Sequence, residues 1–279
     1  MKRKHKKRLM TAGRVFILGI YLLFALAPFY WLLITSLKDR KAILTKEIQY
    51  WPKQITLENY LVLFESSDFH IFLKNSVLVS SVTGVIVTGL AILGGYAMAR
   101  YSFRGKNVTV YGLLLTQMIP GVLLLVPMVV LFSKMGLMNT LAGLTLFYVV
   151  TNLPFCLLLM RSFFERMPQD LEEAALVDGC GKIRSIVRIV LPLMLPGIFA
   201  TFVFAFIGAW NELLAAVMFL SSDALKTIPV GLSMFVQNYE VDWGVMTAGG
   251  VVALIPSLIL FAVVQKYVVA GLTDGAVKG

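Results

Sequence analysis

A single carboxylate lies in one of the most apolar stretches of this sequence. Glu212 follows Trp210 and Asn211, and it is the one charged residue between Pro196 and Leu220. If this stretch crosses a membrane, the charge costs roughly 2.5–3.5 kcal/mol on insertion scales and is expected to face a cavity or a polar partner. An aromatic face beside an amide and a carboxylate suits a sugar. Glu212 could therefore line a substrate pathway. The alternatives to this role are a structural hydrogen bond between helices, or a position at the membrane surface.

Two amide side chains in other apolar stretches are weaker candidates for lining the same pathway. Gln117 and Asn152 each have mostly apolar neighbours along the chain. Their alternative role is to tie bent helices together through hydrogen bonds. The sequence predicts no metal site and no catalytic residue, because its two histidines are isolated and no nucleophile is paired with a base.

A charged segment between apolar stretches carries the most specific pattern. Residues 168–192 read PQDLEEAALVDGCGKIRSIVRIVLP. The residues after Pro168 predict a short helix whose acidic side chains lie near its positive amino end. Ala174 and Ala175 are good helix formers, and they are expected to leave a low surface on which another protein can pack closely.

Glycines and a proline predict where this helix and the next one end. Gly179 and Gly181 are expected to end the first helix, since glycine accepts the left-handed turn of a helix terminus. A second helical stretch is predicted from Lys182 to Val190, and Pro192 is expected to stop it. The physical pattern alone also fits an amphipathic helix that lies on the membrane surface, so both interpretations stay open at this point.

The composition indicates what kind of element must position these residues. Of the 279 residues, 58% are hydrophobic and 14% are charged, and the mean hydropathy is +0.83. A soluble domain is nearer half apolar and a quarter charged. The composition excludes a cytosolic enzyme, a disordered chain and a disulfide-rich secreted scaffold, and it predicts an all-α polytopic membrane protein.

Six transmembrane helices are predicted, because each of six apolar stretches can cross a bilayer of ~30 Å. They are residues 15–37, 75–99, 108–132, 141–160, 196–220 and 245–264. The segments between them are a basic tail (1–14), an external loop (38–74), a cytoplasmic loop (161–195) and a second tail (266–279). Prolines inside the spans, such as Pro120 and Pro154, fit either kinked packing or a bundle that opens a central cavity.

The distribution of cations predicts the orientation of the chain. With six spans both termini lie on one side, and that side holds 17 of the 25 Lys and Arg residues. Seven of these cations are in residues 1–14. Because cytoplasmic loops carry an excess of Lys and Arg, both termini are predicted to be cytoplasmic.

The charged segment resembles the EAA loop of bacterial ABC importer permeases. That pattern is Glu-Ala-Ala, any three residues, Gly, any nine, Ile, any one, then Leu-Pro. Every defined position is present here, at Glu173, Ala174, Ala175, Gly179, Ile189, Leu191 and Pro192. Cys180 departs from the Ala or Ser that is common after the glycine, which is a small change.

Shorter tracts along nearly the whole chain are similar to the second permease subunit of carbohydrate importers of the maltose and oligosaccharide type. The tracts are ITLENY (55–60), MIP (118–120), GLMNT (136–140), WNE (210–212), DWG (242–244) and GLTDGAVKG (271–279). Each tract is weak alone, and their order and spacing together indicate the subfamily.

The resemblance implies the type I ABC importer permease fold, with residues 75–265 as its transmembrane core, in the bacterial cytoplasmic membrane. It further implies a contact with a cytoplasmic ATPase. The residues of that contact would be Glu173, Ala174, Ala175, Asp178, Gly179, Ile189, Leu191 and Pro192. Closure of the ATPase pair on ATP would then push this segment and move the bundle between inward-facing and outward-facing states.

The implied partners are a homologous second permease in a heterodimer, two ATPase subunits and an extracytoplasmic solute-binding protein. The implied substrate is a di- or oligosaccharide; membrane lipid surrounds the spans, and no nucleic acid is expected. ATP and Mg²⁺ would bind to the ATPase subunits, and no cofactor to this chain, which has no Walker A pattern.

Other cargoes and other classes are the competing hypotheses. The same importer class could carry another polar solute, such as a polyol, a glycerol phosphate or a uronate oligomer. An ion-coupled secondary transporter or a channel would instead use Glu212 as a proton or ion site. A purely structural membrane subunit is disfavoured by the complete EAA spacing.

Overall fold

The computed structural model describes residues 2–65, 67–236 and 241–276, with side chains described from residue 10 to residue 265 of these ranges. In the described residues the regular secondary structure is helical, apart from one antiparallel β-bridge between Val236 and Val241. Residues 238–240 and the last residues of the closing tract, 277–279, lie outside this description. The helices are α1 (Lys2–Ser36), α2 (Arg40–Ile43), α3 (Glu58–Glu65), α4 (Phe69–Arg100), α5 (Lys106–Met118), α6 (Gly121–Lys134), α7 (Leu141–Arg166), α8 (Asp170–Val177), α9 (Lys182–Ser185), α10 (Leu191–Leu193), α11 (Leu195–Trp210), α12 (Leu214–Phe219), α13 (Ile228–Met234) and α14 (Trp243–Ala276).

The helices of the described residues provide four to six membrane spans. Four single helices are long and apolar enough to cross a bilayer, through Met10–Ser36, Phe69–Arg100, Leu141–Arg166 and Trp243–Gln265. Two bent pairs also qualify if each pair counts as one span. Helices α5 and α6 meet at 101°, and the segment 182–193 meets α11 at 73°. The chain is therefore an all-α, multi-pass membrane protein.

Several elements differ from the boundaries that hydropathy predicts. The basic residues of the amino tail belong to α1, which begins at Lys2 and runs without interruption into the first span. The predicted third span, 108–132, is divided at Ile119, which has extended backbone angles (φ −83°, ψ 122°). The cause is Pro120, because a proline disfavours the helical region for the residue before it. In contrast, α7 continues through Pro154.

The described residues form two compact units: unit 1 contains residues within 2–69 and 232–254, and unit 2 contains residues within 70–231 and 255–276. In unit 1, the ITLENY tract stabilises the carboxyl end of α1. The Asn59 side chain donates hydrogen bonds to the carbonyls of Ser36 (2.9 Å) and Lys38 (2.7 Å). The Tyr60 hydroxyl lies 2.8 Å from the Ser36 hydroxyl. The last carbonyls of a helix lack partners within it, and this tract supplies them.

Close approach of α4 to α7 organises the packing in unit 2. A Cβ atom added to Gly95 would lie 2.9 Å from the backbone nitrogen of Arg161, so only glycine fits there. Apolar side chains of α4, α7 and α11 form a buried cluster around Tyr96, Phe164 and Ala205. The small residues of the predicted second span therefore allow helices to pack closely. Close packing matters here because the hydrophobic effect does not drive helices together in lipid.

The GLMNT tract closes another part of unit 2. Asn139 has a positive φ of 55°, and its side-chain oxygen accepts hydrogen bonds from the amides of Ser221 and Ser222, both at 3.0 Å. Its own amide donates to the Phe219 carbonyl at 2.7 Å. Thr140 then caps α7 by accepting a hydrogen bond from Gly143. This tract joins the segment after α12 to the start of α7.

Candidate functional site

The helix predicted in the EAA segment is present as α8, and its ends have the predicted chemistry. Its first turn contains Asp170, Glu172 and Glu173, whose charges favour the amino end of a helix. It ends before Gly179, which has a φ of +80°. The amide of Gly179 donates to the Leu176 carbonyl at 3.1 Å. Glycine is suited to this position because it enters the left-handed region without steric cost.

The two alanines of the motif face in different directions. Ala175 is 3% exposed and packs against its own chain, whereas Ala174 is exposed. The prediction that both alanines form an open surface is therefore wrong for Ala175. The reason is helical geometry, since consecutive residues point about 100° apart around a helix. The open surface near the motif is instead formed by Glu173, Ala174 and Asp178, which are all exposed.

A buried arginine attaches α8 to the ends of two long helices. Arg100 ends α4, and its Nε lies 2.6 Å from Glu172 Oε1. Its two terminal nitrogens donate to the carbonyls of Phe164 (2.9 Å) and Met167 (3.1 Å), at the end of α7. The Tyr96 hydroxyl donates to Glu172 Oε2 at 2.8 Å. These contacts of Arg100, Glu172 and Tyr96 are called the Arg100 clamp below.

The side chains of the Arg100 clamp are mostly buried, and sequence reasoning did not find this cluster. The Arg100 and Glu172 side chains are 8% and 15% exposed. Charge-assisted hydrogen bonds are strong in such surroundings, because little water competes for them. An arginine at the end of a span and an acidic cluster were visible signals. Nothing in the spacing indicated which acid the arginine would meet.

The stretch after Gly179 returns the chain to the membrane through an irregular helix. It begins as α9, continues as a π-helical turn at Ile186–Val190 and reaches α10. Val190 is fully buried, Ile189 and Leu191 are partly buried, and Pro192 is exposed. Pro192 does not stop the helix as predicted, because it lies in the first turn of α10, where a missing amide hydrogen is tolerated. The bend instead falls at Met194, before α11.

The predicted fifth span, 196–220, is interrupted at the polar site. Helix α11 ends at Trp210, and α12 begins at Leu214. Glu212 lies in this break, and its carboxylate accepts hydrogen bonds from the amides of Ala215 (3.0 Å) and Ala216 (3.2 Å). The carboxylate thus satisfies free amides of the first turn of α12, which have no partner within the helix.

A tyrosine from α7 completes the surroundings of Glu212. The hydroxyl of Tyr148, which is 1% exposed, donates to Glu212 Oε2 at 3.0 Å. The Asn152 side chain donates to the Tyr148 carbonyl at 2.8 Å. Gly208 allows α11 to pass close to Asn152, because a Cβ atom there would collide with the Asn152 side-chain oxygen. The structure thereby brings Glu212, Tyr148 and Asn152 together across α7 and the break in the fifth span.

The other predicted pathway residues have different surroundings. Trp210 is 3% exposed and stacks on Phe206, with ring centroids 5.5 Å apart. Its aromatic face is therefore covered by the chain itself. Asn211 is exposed within the same break. Gln117 is exposed near the end of α5, and in the described residues no hydrogen bond joins it to Glu212 or Asn152.

The described chain is a helical, multi-pass membrane protein with a short helix, α8, anchored between two spans. The family of binding-protein-dependent transport system inner membrane components matches residues 91–274. The sulfoquinovosyl glycerol transport system permease protein SmoH of Agrobacterium fabrum is 37% identical over 94% of this chain and 92% of its own length. The diacetylchitobiose uptake system permease protein DasC of Streptomyces coelicolor is 34% identical over the full length of both chains.

A solved structure has the same fold. It is the crystal structure of a bacterial ABC transporter involved in the import of the acidic polysaccharide alginate, one chain of which superposes with a TM-score of 0.77. That match covers 94% of this chain and 97% of the other, at 23% identity. The chain therefore belongs to the family of binding-protein-dependent transport system inner membrane components, the permease subunits of ABC importers. The chain is a multi-pass, non-catalytic transporter subunit, as its family implies.

Proposed function

We propose that this chain is one of two permease subunits of an ATP-driven importer for a di- or oligosaccharide. Support comes from relatives whose names specify sugars or sugar glycosides, including the trehalose/maltose permease MalG of Thermococcus litoralis, 32% identical over the full length of both chains. A related solved structure contains a periplasmic protein bound to an alginate pentasaccharide. A homologous second permease, two ATPase subunits and an external solute-binding protein complete the proposed complex, with both termini of this chain in the cytoplasm.

The observation that carries this proposal is the exposed edge of α8. The rest of this helix is attached to its own chain through the contact between Glu172 and Arg100. We infer that Glu173, Ala174, Asp178 and Gly179 contact the ATPase subunit. Ala175 and the partly buried Ile189 and Leu191 hold the segment against its own bundle, and Pro192 remains exposed beside them. ATP and Mg²⁺ belong to the ATPase subunits in this proposal, and this chain binds no cofactor. The exposed edge is acidic, so it suits a basic or polar groove on the partner.

The Arg100 clamp gives a physical route from that contact to the membrane. A displacement of α8 pulls on Glu172, which is bonded to Arg100 at the end of α4. Arg100 is in turn bonded to carbonyls at the end of α7. Because the three elements share these bonds, they are expected to move as one body. A rigid-body movement of this kind is what alternating access requires.

The interrupted spans are the proposed substrate pathway. Non-helical backbone at membrane depth occurs where it is buried in protein or lines a water-filled cavity. We infer that Asn211 and Gln117, which are exposed beside the breaks in the fifth and third spans, are available to sugar hydroxyls. Glu212, Asn152 and Trp210 have partners within the chain, so we assign them the role of positioning the break.

Reconstitution tests the cargo and the coupling separately. The chain is produced with the permease, ATPase and binding-protein genes beside it, and the complex is placed in proteoliposomes. ATPase activity is then measured with loaded binding protein and a panel of disaccharides, oligosaccharides, polyols and glycerol phosphate. Stimulation by a sugar alone supports the proposal, and stimulation by a polyol or glycerol phosphate alone reassigns the cargo.

Deletion of residues 171–189 is expected to abolish retention of the ATPase, and normal retention would contradict the coupling assignment.

A further inference from the structure

The structure contains a cavity of about 400 Å³ at the carboxyl end of α1, within unit 1. Its walls come from the last three turns of α1, the segment that follows, and the first two turns of α14. The polar and aromatic groups that line it include Trp31, Thr35, Lys38, Glu47, Gln49 and Trp243. None of these residues belongs to the EAA segment or to the site around Glu212.

A buried cation without a counterion lies in this cavity. Lys38 is 4% exposed, and its Nζ donates to the Gln49 carbonyl at 2.5 Å and lies 4.6 Å from the centroid of the Trp31 ring. In the described part of the chain, no carboxylate oxygen lies within 4.0 Å of this ammonium group. A buried charge without an opposite charge is costly, so an anionic ligand would be stabilised here.

Two further polar atoms in the cavity wall lack hydrogen-bond partners. Thr35 is 7% exposed, and its hydroxyl has no partner among the described residues. The side-chain oxygen of Gln49 is also buried and has no partner in that part of the chain. Buried polar atoms in proteins are normally bonded. A ligand that accepts one hydrogen bond and donates another would satisfy both atoms.

The position of the cavity favours a lipid as that ligand. Trp31 and Thr35 lie in the last turns of the span Met10–Ser36, and Trp31 and Trp243 are 43% and 50% exposed. Tryptophans in such positions mark the level of the lipid headgroups. Apolar side chains of the preceding turns, including Leu26 and Phe29, are about half exposed and available to acyl chains.

We propose that this cavity binds the headgroup of a membrane glycerophospholipid, with Lys38 as the ligand of its phosphate. The Thr35 hydroxyl donates a second hydrogen bond to the phosphate, and the Gln49 oxygen accepts one from the rest of the headgroup. Glu47 is the acidic group in the wall. It favours headgroups that carry an amine or hydroxyls beyond the phosphate, such as phosphatidylethanolamine or phosphatidylglycerol, over phosphatidic acid.

Native mass spectrometry of the full-length chain, with its co-purified subunits, tests this site. The delipidated complex is mixed with dioctanoyl-phosphatidylglycerol, with dioctanoylglycerol, which lacks the phosphate, or with inorganic phosphate. We expect one tightly bound phosphatidylglycerol and at least about tenfold weaker binding of dioctanoylglycerol, because the charge-assisted contacts are lost. Lys38→Met is expected to weaken lipid binding to a similar degree, and Lys38→Arg to preserve it. Lys53→Met is the matched control, because Lys53 lies in the same external segment and is exposed.

Thr35→Val keeps the test decisive if Lys38→Met fails to fold. It replaces a hydroxyl that has no partner in the described chain with a group of the same shape, so the melting temperature should be retained while lipid binding falls. Equal lipid binding by wild type and Thr35→Val, or by Lys38→Met and Lys53→Met, would overturn the proposal. If inorganic phosphate binds as well as dioctanoyl-phosphatidylglycerol, the site binds a free anion instead of a lipid. If dioctanoylglycerol binds as well as dioctanoyl-phosphatidylglycerol, Lys38 does not bind a phosphate and the proposal is overturned.

Discussion

The guanidinium of Arg100 contacts the carboxylate of Glu172, with 2.6 Å between Nε and Oε1, although the two residues are 72 positions apart in the chain. Arg100 ends one membrane helix, and Glu172 lies in the first turn of α8, the helix that we propose contacts the ATPase. The Arg100 side chain is buried and the Glu172 side chain is mostly buried. The proposed transmission of movement therefore depends on one charged pair and the carbonyls around it.

Arg100→Gln is expected to uncouple the importer. It leaves the Glu172 carboxylate buried with Tyr96 as its remaining partner, and breaking a buried charge pair in this way costs about 3–5 kcal/mol. We predict that ATPase stimulation by loaded binding protein falls about tenfold or more, while the ATPase is still retained on purification. The measurement is the ATPase rate in proteoliposomes with and without loaded binding protein, and retention of the ATPase is checked by co-purification.

Arg161→Gln is the control for that prediction. Arg161 forms an exposed pair with Glu165 one helical turn away, and such pairs contribute about 0.3–0.5 kcal/mol. The double variant Arg100→Gln/Glu172→Gln is expected to recover part of the lost stability, because no uncompensated charge remains. Equal coupling in the Arg100 and Arg161 variants would show that the Arg100 clamp does not transmit movement.

Removal of the Glu212 carboxylate is expected to loosen the break in the fifth span. Glu212→Ala removes hydrogen bonds to the first turn of α12, and loss of a helix cap costs about 0.5–2 kcal/mol. Glu212→Gln keeps an acceptor and is predicted to retain most of the transport activity. The measurements are the melting temperature of the purified complex and the rate of uptake. A stable Glu212→Gln protein without transport would instead favour direct contact of Glu212 with substrate or an ion.

The partner of Glu212 provides a second test of the same break. Tyr148→Phe removes one hydrogen bond to a carboxylate, which is worth about 1.5–3 kcal/mol, and leaves the ring in its buried position. In a double-mutant cycle with Glu212→Ala, the two losses of stability are expected to be less than additive, because both changes remove the same contact. Strict additivity in unfolding experiments would mean that the two side chains do not interact.

Gly179→Ala is expected to strain the end of α8. Gly179 has a φ of +80°, and a side chain in the left-handed region costs about 1–2 kcal/mol. We predict weaker retention of the ATPase, measured by co-purification at increasing detergent concentration. Gly181→Ala is the matched control, since Gly181 has a φ of −61° and no atoms crowd its Cβ position. Equal loss in both variants would show that the backbone geometry at Gly179 is unimportant.

Gly95→Ala is expected to separate α4 from α7. The added methyl group would meet the backbone of Arg161 at 2.9 Å, and an overpacked core typically loses about 1–3 kcal/mol. Gly89→Ala in the same helix is the control, because no atoms crowd its Cβ position. The melting temperatures of the two variants are compared. A Gly95→Ala protein as stable as Gly89→Ala would contradict the close packing of these helices.

Local chemistry made part of this protein predictable. The start of α8 follows from acidic residues at its amino end, and its termination follows from Gly179, which has the left-handed angles that glycine accepts. Gly181, predicted to share this role, instead precedes α9 with a φ of −61°. Pro120 breaks the third span, but hydropathy cannot tell a kinked span from two helices at 101°. The prediction that Pro192 stops the preceding helix was wrong, because the cost of a proline depends on the turn of the helix in which it lies.

The sequence by itself determined the membrane class, the approximate spans and the EAA spacing, because hydropathy and glycine conformations act over a few neighbouring residues. Only the tertiary structure decided that Ala175 turns inward and that Glu212 caps a helix at a break. It also decided that Arg100 selects Glu172 from three nearby acids. The Arg100–Glu172 and Tyr148–Glu212 contacts join distant parts of the chain, and the free energy of such contacts is set by burial and hydrogen-bond geometry.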